Sequence, residues 1–163
     1  GNGFDNGGKG FIRVSMKDKT GKTKWGFLNE KGNSITEVKY DYVLEFQFGN
    51  DYAIVKLNNK YGIVDSTGKV IVEPNKYDNI KEGASGGFLS SGFIGVNIGA
   101  KWMPKTKTAY EDIRGGKWGF IDMIGTEVIP LIYDDVELFK DGKAKVKKGK
   151  EEFYIDKNGN KIK

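Results

Sequence analysis

One block of nine residues recurs along this chain, and that recurrence constrains the fold more than any other feature. A repeating chain must fold as stacked copies of one small unit. The block reads KWGFLNEKG at 24–32, KYGIVDSTG at 60–68 and KWGFIDMIG at 117–125, with a worn copy, EEFYIDKNG, at 151–159. A second mark follows the first three blocks, as Tyr40-Asp41, Tyr77-Asp78 and Tyr133-Asp134. A third precedes every block: Ile12-Arg13-Val14, Ala53-Ile54-Val55, Ile94-Gly95-Val96 and Ala144-Lys145-Val146. The marks divide the chain into units at about 10–48, 49–82, 92–139 and 140–163. They read as a single domain after a flexible lead at 1–9.

Each unit reads as three short strands. The first carries the valine mark, and in the last unit it alternates small apolar residues with lysines. A tight turn follows, as at Asn58-Asn59 or Lys148-Gly149, and the aromatic-Gly strand returns antiparallel. The endings Asp65–Gly68, Asp122–Gly125 and Asp156–Gly159 are turn chemistry: Asp accepts nearby backbone N–H groups and Gly tolerates positive φ. A third strand runs through Val70-Ile71-Val72 or Glu127-Val128-Ile129 and is expected to stop at Pro74 or Pro130. The glycine beside each aromatic leaves a gap, which the ring of the Tyr-Asp pair is expected to fill. The aromatic rings should stack between neighbouring units, because one small unit cannot cover such a ring alone. The fold class is therefore all-β, a tandem array of about four antiparallel three-stranded meanders. Unequal spacing and a truncated last unit favour an open solenoid-like stack over a small propeller-like ring.

These marks resemble the bacterial WG-repeat family, also called KWG repeats. The resemblance rests on the Lys-Trp-Gly-Phe-(Leu/Ile)-(Asn/Asp)-x-x-Gly blocks at 24–32 and 117–125 and on the Tyr-Asp pairs at 40–41 and 133–134, and it spans roughly residues 10 to 163. Tyr61 departs from it in place of Trp, Asn29 in place of Asp, and Glu152-Phe153 in place of Trp-Gly. The last copy reaches Lys163 without a Tyr-Asp pair, as a terminal capping unit does. The resemblance implies a β-rich array of bacterial origin, without assigned chemistry, that serves as a binding or interaction module.

The spacing is broken in one place. Trp25 to Tyr61 spans 36 residues and Trp118 to Glu152 spans 34, but Tyr61 to Trp118 spans 57. The step from valine to aromatic is 6 residues at Val55–Tyr61 and at Val146–Glu152, but 22 at Val96–Trp118. Sixteen residues are thus inserted within Gly99–Gly116. A smaller excess lies in the Gly- and Ser-rich stretch 82–87, and Lys17–Thr23 reads as a longer hairpin in the first unit. The insertion holds Trp102, Met103, Tyr110 and Arg114, residue types enriched where proteins meet partners, on a loop carried by a rigid scaffold. They are the candidate binding residues, with a protein partner expected and a glycan, stacked on the rings, as the alternative. The competing reading is a longer hairpin arm whose aromatics pack back onto the sheet.

Composition removes most catalytic chemistry. The 163 residues include no Cys and no His, which excludes disulfides, thiolate nucleophiles and imidazole bases. The six aspartates of the repeated marks occupy equivalent places, which points to a shared turn or capping task rather than to one active site. No catalytic residue, metal or cofactor is expected. There are 27 basic and 22 acidic side chains, but only Arg13 and Arg114 are arginines. A lysine-dominated excess reads as solvated surface rather than as a nucleic-acid site. Lys143, Lys145 and Lys147 share one strand face, read as a guard against edge pairing rather than as an anionic-surface patch. Gly1–Gly10 mimics a phosphate loop without the strand, the helix or a hydroxyl after Lys9. No apolar stretch reaches the ~20 residues of a membrane span. The chain opens at Gly1 rather than Met, as a processed or a trimmed product does, and an exported or cell-envelope location is expected slightly ahead of a cytoplasmic one.

Overall fold

The computed structural model describes residues 3–6, 11–44, 51–81 and 92–163, and the Gly- and Ser-rich stretch at 82–87 lies outside them. Among the described residues the chain is all-β, in four antiparallel sheets, none of which closes on itself. The first sheet holds β1 (Gly3–Asn6), β2 (Ile12–Lys17) and β3 (Thr23–Leu28). The second holds β4 (Tyr42–Val43), β5 (Tyr52–Leu57), β6 (Lys60–Asp65) and β7 (Val70–Tyr77). The third holds β8 (Asn79–Ile80), β9 (Ile94–Met103), β10 (Asp112–Ile121) and β11 (Glu127–Tyr133). The fourth holds β12 (Asp135–Val136), β13 (Lys143–Lys148), β14 (Glu151–Asp156) and β15 (Lys161–Ile162). Spatial order follows chain order in every sheet, as a meander requires.

The repeat is thus a meander with one strand more than the sequence suggests. The two residues after each Tyr-Asp step pair with the first strand of the next repeat: Val43 opposite Val55, Ile80 opposite Val96, Val136 opposite Val146. Each repeat hands an edge strand to its successor. In the first sheet β1 takes that place, with Phe4 opposite Val14, so part of the expected flexible lead is a strand. Backbone pairing supplies this ladder, and it needs no side-chain pattern that a sequence reading could detect.

Prolines do not end the third strands. β7 runs through Pro74 and β11 through Pro130. The β10–β11 register shifts between Trp118 and Phe120, from Trp118 opposite Tyr133 to Phe120 opposite Ile129. A proline is tolerated where a bulge removes it from the ladder. This bulge also fills the gap beside the glycine. A Cβ on Gly119 would lie 2.4 Å from the Ile129 carbonyl oxygen, and one on Gly62 would lie 2.5 Å from that of Val72. The third-strand backbone occupies the space, not the tyrosine ring. The tyrosine instead pairs through its backbone with the block aromatic, Tyr40 with Trp25 and Tyr133 with Trp118. In the first repeat Ser34–Val38 forms no regular strand, and the Phe27 N–H donates to Thr36 Oγ1 at 3.1 Å. A local hydroxyl there replaces a ladder carbonyl.

The turns follow their sequence. Asp65 Oδ1 accepts the N–H groups of Thr67 and Lys69, both at 2.9 Å, and Gly68 has φ +91°. Asp122 does the same for Ile124 and Thr126, and Asp156 for Asn158 and Asn160. Asn29 makes both bonds, at 3.0 Å, although it is not an aspartate. Asp18 builds a further copy in the β2–β3 hairpin.

Contacts divide the chain into two compact units, Gly1–Lys76 and Tyr77–Lys163, each holding two repeats around its own core. In the first unit Phe27 and Tyr40 pack with Val43, Ala53, Val55 and Val64. In the second Trp118, Phe120 and Tyr133 pack with Val136, Ala144, Val146 and Ile155. Both clusters join aromatics of one repeat to the small apolar first strand of the next, so within each compact unit the rings stack between its two repeats. Phe139 centres the second core, edge-on to Phe120 at 4.7 Å and to Phe93 at 5.1 Å.

The candidate arm and the groove at its base

The insertion at 99–116 is a hairpin arm. β9 and β10 continue past the repeat as a two-stranded ribbon with Ala100, Lys101, Trp102 and Met103 opposite Gly115, Arg114, Ile113 and Asp112. A turn closes the tip, where Thr106 Oγ1 accepts the Ala109 N–H at 3.0 Å and the Thr106 N–H donates to the Ala109 carbonyl at 2.9 Å.

The arm grows out of an ordinary turn. In the second sheet Leu57 pairs with Lys60 around Asn58 (φ 50°) and Asn59 (φ 64°), and in the third Ile98 pairs with Lys117 in the same way. The two turn positions have become Gly99 (φ 97°) and Gly116 (φ 73°), which keep the left-handed backbone, and the arm lies between them. Glycine takes those angles without a Cβ penalty. Asn97 sits directly beneath and is fully buried. Its Oδ1 accepts the Ala100 N–H and its Nδ2 donates to the Gly115 carbonyl, both at 3.1 Å, so one amide clamps both strands of the arm.

The Tyr-Asp aspartates anchor the same turn in successive repeats. Asp41 Oδ2 accepts from Asn58 N–H, Asp78 Oδ2 from Gly99 N–H and Asp134 Oδ2 from Gly149 N–H, each at 2.7 Å. The second oxygen of Asp41 binds Lys24, and that of Asp134 binds Lys117. Those lysines open the KWG blocks, so each carboxylate ties its own block to the next repeat's hairpin. The lysine bond, with the backbone N–H, holds both carboxyls below the usual aspartate range. At Asp65 burial pushes upward, but the Thr67 hydroxyl and two N–H groups outweigh it, and the result is again lowered.

The arm does not gather the four sequence candidates at one point. Trp102 faces the same side as Ile113, while Met103 and Arg114 face the other side with Asp112. Arg114 Nε donates to Asp112 Oδ2 at 3.1 Å. Tyr110 stands in the tip at 85 % exposure, and Trp102 is 57 % exposed, so neither ring packs back onto the sheet. Arg114 alone of the four lines a groove of about 480 Å³ at the base of the arm. Its other walls include Asn79, Lys81, Asn97, Trp118 and Asp135. Lys81 binds Asp135 at 2.8 Å and lies 5.0 Å over the Trp118 ring. Sequence reasoning missed this groove because its walls come from four separate strands and the links beside them. Among the described residues no cluster of three or more acidic side chains is placed to hold a metal ion, and no helix is long and apolar enough to cross a membrane.

The model of the WG-containing repeat matches three times, at residues 25–61, 61–102 and 118–151. The chain belongs to the WG-repeat family. The three matches begin at the block aromatics Trp25, Tyr61 and Trp118, so each runs from the aromatic-Gly strand of one sheet into the strands of the next. The second match ends at Trp102, within the arm, and the third resumes at Trp118 after it. Comparison with curated proteins and with solved structures finds no match. Membership of the WG-repeat family marks the chain as a repeat-based interaction module.

Proposed function

We propose that this WG-repeat chain is a non-catalytic module whose arm at 99–116 contacts a protein partner. The observation that carries the reading is the contrast in exposure among its aromatics. Trp118 and Tyr133 of the repeats are only 7 % and 5 % exposed, whereas Trp102 and Tyr110 of the arm stand open, as does Met103 at 45 % exposure. Large rings held out on a stapled ribbon offer contact area at a small ordering cost. The non-catalytic reading is supported by the repeated aspartates, whose oxygens are committed to backbone N–H groups and lysines. Held ionised at neutral pH, Asp41 and Asp134 have no proton to give as general acids.

The test replaces residues 99–116 by Asn-Asn, the turn that β5 and β6 already use. Cross-linking and capture from the source cell, with wild type and this variant, should return a partner that only the wild type holds. An unchanged set of partners would exclude the arm.

A second reading is favoured by the flat, open indole of Trp102 on the arm and by the polar groups that line the groove at its base. Such a surface suits a glycan, with the ring against a sugar face and carboxylates and amides on its hydroxyls. A glycan array probed with wild type and Trp102→Ala decides it. No ligand bound at millimolar concentration removes the reading.

A further inference from the structure

The last repeat leaves open a ring position that the others bury. Tyr154 stands in β14 where Phe27 stands in β3 and Phe120 in β10, at the same step of the block. Both phenylalanines are fully buried, whereas Tyr154 is 43 % exposed and Ile162, opposite it, 37 %. The lysines beside them do not guard an edge, as their sequence suggests, because β13 is an inner strand, paired with β12 on one side and β14 on the other. Nor do they form a basic patch. Lys143 lies opposite Asp156, and Lys147 lies between Glu152 and Asp135, so three lysines share the face with three carboxylates. A balanced face with an apolar centre suits contact with another protein surface.

The first repeat shows what covers such a face. There Arg13 lies opposite Phe27, as Lys145 lies opposite Tyr154. Phe27 packs on Ala53, Val55 and Val64 of the second sheet, and Arg13 Nη1 donates to the Val43 carbonyl on that sheet's edge strand at 3.2 Å. A cation opposite an aromatic is thus compatible with cover by the next repeat.

The first sheet carries a surface of the same layout as that cover. Val14 lies opposite Gly26 and Met16 opposite Lys24, as Val55 lies opposite Gly62 and Leu57 opposite Lys60. β1 pairs with β2 there as β4 pairs with β5. Val55 is fully buried under Phe27, but Val14 is only half-buried and Met16 is 51 % exposed. We propose that the Tyr154 face of one copy seats on the Val14–Met16 face of a second copy, so that the stacking of repeats continues from chain to chain. Each face meets a different one, so the contact is head-to-tail and can repeat.

Sedimentation velocity tests it. The mass of the wild-type chain should rise above that of one copy as its concentration is raised to about 1 mM. Tyr154→Asp and Met16→Asp should each hold the chain at the mass of one copy. Mixed one to one, the two variants should form pairs and go no further, because the first keeps the Met16 face and the second keeps the Tyr154 face. Excision of 99–116 should leave the association of the wild-type faces unchanged, so this inference and the reading of the arm fail separately. Both substituted side chains are open, so thermal midpoints should hold. If that of Tyr154→Asp falls, Ile162→Asp is read in its place, and if that of Met16→Asp falls, Met16→Lys. A wild-type chain that stays at the mass of one copy would overturn the inference. So would association undiminished in either variant, mixed variants that do not pair, or association lost with the arm.

Discussion

At Gly119 the absent side chain is what lets the third strand cross. An added Cβ meets three backbone atoms within 2.8 Å, from Ile129, Pro130 and Leu131, and no rotamer can move them aside. Gly119→Ala should therefore cost about 1–3 kcal/mol, as overpacked cores do, read as a lower urea midpoint. A midpoint within error of wild type would mean that the bulge yields freely. The aspartates act at the same scale and respond to pH. Asp41 and Asp134 have lowered values in the folded chain, so their contribution is complete above the ordinary aspartate value of about 3.9. It is lost as pH falls through the lowered folded values. Urea midpoints should drop below about pH 4, and the double variant Asp41→Asn, Asp134→Asn should start lower at pH 7 and lose less on acidification. Parallel curves for the two proteins would separate the acid loss from these anchors.

Among elements, the arm is an insertion into a turn that already existed. Ile98 opposite Lys117 repeats Leu57 opposite Lys60, and both glycines keep the left-handed backbone of the asparagines they replace. Excising 99–116 in favour of Asn-Asn should leave the far-ultraviolet spectrum and the thermal midpoint of the scaffold almost unchanged. An aggregated or unfolded product would show instead that the arm supports the sheet. Fluorescence reads the arm in the intact chain. Trp102 is 57 % exposed and Trp118 7 %, so Trp102→Phe should remove the fraction most readily quenched by iodide. The sequence located the insertion to the residue, because the interruption of a repeat is itself a pattern. It did not show that Trp102 and Arg114 part to opposite faces, because that depends on a register fixed by pairing across the ribbon.

Across the whole molecule, stability resides where one repeat covers the next. Phe139 lies in the link between the third and fourth repeats and is fully buried against Phe120 and Phe93. Phe139→Ala should cost about 3–5 kcal/mol, the range for a buried ring removed from a packed core. Hydrogen exchange should show the loss across β10, β13 and β14 together, since both sheets share that core. Protection lost in one sheet alone would mean that the repeats fold independently. The second repeat lacks a clean alternation of apolar and polar residues. Ala53 and Val55 on one face of β5 and Ile54 on the other are all buried, so both faces are apolar. Only β13 alternates clearly, because one face of its sheet is open.

The sequence by itself determined the repeat, its all-β character, the turns built on Asp and Asn, and the place of the insertion. Each of these is written in local spacing, and local spacing is what backbone geometry reads. The tertiary structure alone decided which group fills the gap beside Gly119, that the two residues after each Tyr-Asp step belong to the next sheet, and that Asp78 anchors the arm through Gly99. It also decided that β13 is an inner strand whose lysines line a face and not an edge. Those outcomes depend on which backbone lies beside which across a sheet. Residues far apart in the chain meet there, through hydrogen bonds that leave no mark on the side-chain pattern.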